Sequence, residues 1–98
     1  MFFAKIHRIG GDVLVACCDA DILGKKFSDG ELDLHVSERF YGGDTVDEER
    51  LAGMISDATV ANLMGERVVS YALRKGLVDE SGVSKVCGIK HAQIFTLE

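Results

Sequence analysis

Hydrophobic and polar residues alternate from the second residue of the chain. Phe2, Ala4 and Ile6 fall on one side of an extended chain and Phe3, Lys5 and His7 on the other, which predicts a strand over 2–8. Gly10-Gly11-Asp12 reads as a hairpin turn, and 13–18 is an unbroken apolar run. Such a run suits a strand covered on both faces and paired antiparallel with the first. Asp19 stands where it caps a short helix over 20–23 that stops at Gly24, with a loop over 25–30. Alternation resumes over 31–37, with Leu32, Leu34 and Val36 inward. Residues 37–41 suffice for one helical turn before Gly42-Gly43.

The period then changes. Leu51, Met54, Ile55 and Ala58 recur at helical spacing behind an acidic start, Asp44 to Glu49, that suits the positive end of a helix dipole. Thr45 or Asp47 is the expected cap, and the helix ends near Asp57. Apolar positions continue almost in helical phase to residue 72, but Thr59-Val60 is β-branched and Gly65 weakens a helix interior by ~1 kcal/mol. The segment is therefore read as a buried strand over 59–63, a joint at Asn62 to Glu66, and a second helix over about 65–75. That helix buries Val68, Val69, Ala72 and Leu73 and stops at Arg74-Lys75-Gly76. Leu77 and Val78 fold back on the core, Asp79 to Gly82 is a turn, and 83–87 and 91–97 read as strands around Gly88. The expected fold is α/β (α+β): a single domain over 1–98, a small mixed sheet of about five or six short strands, and two main helices.

Composition narrows the class. The 98 residues are 47% hydrophobic and 28% charged, with a formal net charge of −5. That is globular, and it disfavours broad binding to polyanions or anionic membranes without excluding a local basic face. The start is charged too soon for a signal peptide, and no apolar run approaches the ~20 residues of a membrane span. Three cysteines without framework spacing do not suit a secreted disulfide scaffold. A cytoplasmic protein is expected.

The runs Val13-Leu14-Val15-Ala16-Cys17-Cys18-Asp19, Gly30-Glu31-Leu32-Asp33-Leu34, Phe40-Tyr41-Gly42-Gly43, Ala61-Asn62-Leu63-Met64-Gly65-Glu66 and His91-Ala92-Gln93 occur together in this order. In this the chain resembles a small family of archaeal proteins catalogued as "domain of unknown function 424", over nearly its whole length. The resemblance implies a cytoplasmic, single-domain archaeal protein and no assigned reaction. An association with RNA or translation is the expectation attached to small archaeal proteins of this kind.

Few residues suggest chemistry. Asn62 and Gly65 could expose a helix start to an anion, or Asn62 could simply cap the helix; Glu66 favours the plainer role. Cys87 and His91 are four apart, but no paired metal motif accompanies them, so no metal and no cofactor are expected. Tyr41, Gly42 and Gly43 form a glycine-rich aromatic segment that either stacks on a base or plugs the core. The expected function is a non-enzymatic binding or assembly module contacting RNA, a ribonucleoprotein or a protein partner. Its ligand-binding residues would be Tyr41, Gly42, Gly43, Asn62, Gly65, Glu66, His91 and Gln93. The alternative is a small hydrolase or transferase using His91 with Cys87 or Glu66. A homodimer through an edge strand, with 91–97 the candidate edge, is a third expectation.

Overall fold

The computed structural model describes residues 1–95. Strands β1 (Phe2–Ile9) and β2 (Asp12–Asp19) form the expected antiparallel hairpin, turning at Gly10-Gly11. β2 then pairs parallel with β6 (Val60–Met64), which requires a long crossover between them. That crossover carries a hairpin of β3 (Lys26–Ser28) and β4 (Asp33–His35), helix α1 (Glu38–Tyr41), strand β5 (Asp44–Val46) and helix α2 (Glu48–Ser56). After β6 come helix α3 (Glu66–Arg74) and the hairpin of β7 (Val83–Val86) and β8 (Ile89–Phe95). The six-stranded sheet runs β5-β1-β2-β6-β8-β7.

Successive residues of a strand face opposite sides, so the register divides the sheet into two faces. On the helix face, Phe2, Ala4, Val15, Cys17, Ala61, Leu63 and Ala92 pack under Leu51 and Ile55 of α2 and Val68, Val69, Tyr71 and Ala72 of α3. The 68/69/72 stripe was legible as helical periodicity; Tyr71 joins it because its hydroxyl reaches the Glu48 carbonyl at 3.2 Å. The opposite face is covered at one end only. There Ala16, Cys18 and Met64 lie under Val36 and Tyr41, with Phe27, Leu34 and Phe40 at the margin. Lys5 Nζ and His7 Nε2 hold α1 down by donating to the carbonyls of Arg39 and Phe40, both at 2.8 Å. These are carbonyls that a helix end leaves free.

Several expectations change. The loop over 25–30 contains β3, and the strand over 31–37 shortens to β4, leaving Leu32 53% exposed rather than inward. Asp44 to Val46 opens on a strand, β5, before Asp47 caps α2 by accepting from Arg50 N at 2.8 Å. Strand β8 is interior, hydrogen-bonded to β6 and β7, so the edges are β5 and β7 and not the C-terminal strand. Residues 96 and 97 of the expected strand lie outside the described residues. No helix among those described is long and apolar enough to cross a membrane.

Cys17 and Cys18 point to opposite faces and are both buried. Burial, with neighbouring negative charge, pushes the Cys17 thiol far up and Cys18 to about 12; Tyr41 rises to about 12, chiefly by burial. Raised folded-state values stabilise the protein fully below the unfolded-state values, ~8.5 for Cys and ~10 for Tyr, and that stability is lost as pH rises through the folded ones. Urea midpoints should therefore hold steady to pH ~8.5 and fall between pH ~9 and ~12. A midpoint that stays level across that window would contradict the burial of these three groups.

Candidate functional site

The joint after β6 is built around Asp19. The expected capping roles fall elsewhere: Asp19 makes no side-chain bond to the 3-10 turn at Ala20–Ile22, and Asn62 does not cap α3. Asp19 ends β2 beside β6, and its buried carboxylate accepts from Arg67 N at 2.9 Å and Val68 N at 2.8 Å. The start of α3 thus already holds an anion, the chain's own. Gly65 takes φ +127° where the chain turns from strand to helix, and a Cβ there would lie 2.4–2.7 Å from the Asp19 carboxylate. Beside this joint, at the carboxyl ends of the parallel strands, is a cleft of about 260 Å³ that Glu66, Lys85 and Lys90 line. Lys90 Nζ pairs with Glu66 at 3.2 Å.

Four of the residues singled out in the sequence meet on the other face. Asn62 is the register partner of Gln93, and Met64 that of His91. The buried Tyr41 donates its hydroxyl to Asn62 Oδ1 at 2.8 Å, across Ala16, whose small side chain admits the ring. Asn62 and His91 are half-buried and Gln93 is exposed. Burial lowers the His91 pKa, so the ring is neutral at pH 7. Gly42 and Gly43 border this group but pack on the chain itself: a Cβ on Gly43 would lie 2.1 Å from the Ala4 carbonyl oxygen. Gly65 and Glu66 belong to the cleft, not to this group.

A family model described as "Protein of unknown function (DUF424)" matches residues 7–97. The chain belongs to the DUF424 family. It is also similar to the crystal structure of an uncharacterized conserved protein from Methanopyrus kandleri, at 30% identity and a TM-score of 0.83 over 99% of this chain and 94% of that one. No curated protein matches the chain.

In this DUF424 protein the Cys87–His91 and Glu66–His91 pairings are not formed. Cys87 sits in the β7–β8 turn at φ +51°, where its thiol donates to the Leu32 carbonyl at 3.2 Å. His91 faces the opposite side of the sheet from its neighbour Lys90, and it is Lys90 that holds Glu66.

Beyond α1, the DUF424 sheet lies open, with Phe95 63% exposed. From the end that α1 covers toward the open end, the rows of this face read Phe3-Cys18-Met64-His91-Ser84, then Lys5-Ala16-Asn62-Gln93, then His7-Leu14-Val60-Phe95. Reasoning from sequence missed Phe95, Leu14 and Val60 as parts of one surface, because only the β2–β6–β8 register makes them neighbours. Among the strand residues of this face in β1, β2, β6, β7 and β8, the one carboxylate is Asp12, at the far end of β2, where it accepts from Thr59 Oγ1 at 3.2 Å.

Proposed function

We propose that this protein is a non-enzymatic binding module that docks on single-stranded or looped RNA through the uncovered part of its sheet. One observation carries the reading. In a chain of net charge −5, the open face sets Gln93 and Asn62 in the row next to the exposed Phe95, with His91 one row further on and no carboxylate among them. Unpaired bases are recognised by stacking on aromatic rings and by hydrogen bonds to their edges, and a sheet face offering an aromatic beside side-chain amides suits both. Lys5, in the same row as Asn62 and Gln93, supplies positive charge on this face. The acidic remainder of the surface restricts contact to this patch and makes the affinity modest and dependent on salt.

Fluorescence anisotropy with a labelled single-stranded oligonucleotide at ~50 mM salt tests this. Wild type should bind, and Phe95→Ala should weaken binding about tenfold, since stacking on one aromatic contributes ~1–3 kcal/mol. Far-UV circular dichroism should be unchanged, because Phe95 is exposed. Absence of binding by wild type, or full affinity in Phe95→Ala, would overturn the proposal.

A further inference from the structure

We propose that Tyr41 acts as a positioning residue: it orients the amide of Asn62 so that the docking face prefers bases presenting a carbonyl, such as uracil, over those presenting an amino group, such as cytosine. The inference rests on the RNA reading and adds selectivity to it. Tyr41 is 6% exposed, so its hydroxyl proton must find an acceptor inside the protein. Asn62 Oδ1, at 2.8 Å, is that acceptor. The flipped amide would turn Nδ2 toward the phenol and leave the phenolic proton without a partner, because an NH₂ group only donates.

With Oδ1 committed to Tyr41, Nδ2 carries its two N–H groups away from Tyr41, and among the described residues no protein acceptor holds them. The neighbours do not set a preference. Gln93 is exposed and can present either end of its amide, and the neutral His91 ring has one donor and one acceptor. Asn62 is thus the group of fixed polarity on this face, and it offers donors. A base carbonyl such as uracil O4 accepts from it, whereas the amino group of cytosine at the same position meets donor with donor.

Competition between uridine and cytidine oligomers of equal length reads this directly. Wild type should prefer uridine by about tenfold, the scale of one well-placed hydrogen bond. In Tyr41→Phe the amide is free to turn, so the preference should collapse to less than about twofold while uridine affinity changes by less than about threefold. Asn62→Asp should reverse the order, because one carboxylate oxygen still accepts from Tyr41 and the other now accepts from the cytosine amino group. Equal affinities in wild type would overturn the selectivity and leave the RNA reading standing. Preference retained in Tyr41→Phe would overturn the role of Tyr41. Failure of wild type to bind either oligomer would overturn the RNA reading and the selectivity together.

Discussion

Gly65→Ala should destabilise the protein by about 3–5 kcal/mol, a large share of the ~5–15 kcal/mol that holds a domain of this kind together. Two effects add. At φ +127° a side chain is strained wherever the space lies, which costs ~1–3 kcal/mol. The new Cβ would also meet the Asp19 carboxylate at 2.4–2.7 Å, where the carboxylate is buried and bonded to two backbone N–H groups. Moving it away strands those donors at ~1–3 kcal/mol. Urea unfolding followed by circular dichroism should show a midpoint lower by ~2 M or more. A shift below ~0.5 M would mean that strand and helix do not meet here as described.

Asp19→Ala should cost about 2–3 kcal/mol by the same measurement, at the upper end of what losing a helix cap costs, because Val68 N lies in the core. Asp19→Asn keeps one acceptor oxygen and should cost roughly half as much. The double variant Asp19→Ala with Gly65→Ala should cost less than the sum of the singles by ~1 kcal/mol or more, since the Cβ then has no carboxylate to displace. Strict additivity would separate the two residues and refute the contact between them. Together they tie the end of β2 to the start of α3, 48 residues on, and so hold the parallel pair in place.

This tie marks the limit of what was legible from the chain. The alternation of Phe2 to His7, the apolar run of β2 and the 68/69/72 stripe are local patterns, and each appears in the structure where its period puts it. The strand–joint–helix break around Gly65 was legible because β-branching and glycine oppose a continuous helix. The partner that caps that helix was not, because Asp19 also looks like a cap for the residues directly after it. Strand β5 escaped notice since Asp44-Thr45-Val46 is short and polar, and only its pairing with Phe2 to Ala4 makes it a strand. The sequence over 91–97 reads as an edge because nothing local reveals that β7 pairs outside β8. The site follows the same logic. His91, Asn62, Gln93 and Tyr41 stood out as polar or glycine-adjacent positions, but their adjacency depends on the β6–β8 register and on α1 crossing Ala16.

On the proposed function, RNA meets the open face of the sheet. Two-dimensional NMR of uniformly ¹⁵N-labelled protein during titration with a uridine oligomer tests it most directly. Progressive shifts should be confined to the backbone and side-chain amides of Asn62 and Gln93 and the backbone amides of His91, Phe95 and Leu14, with the residues of α2 and α3 unmoved. Shifts clustered instead around Glu66, Lys85 and Lys90, or a spectrum unchanged by saturating RNA, would contradict it.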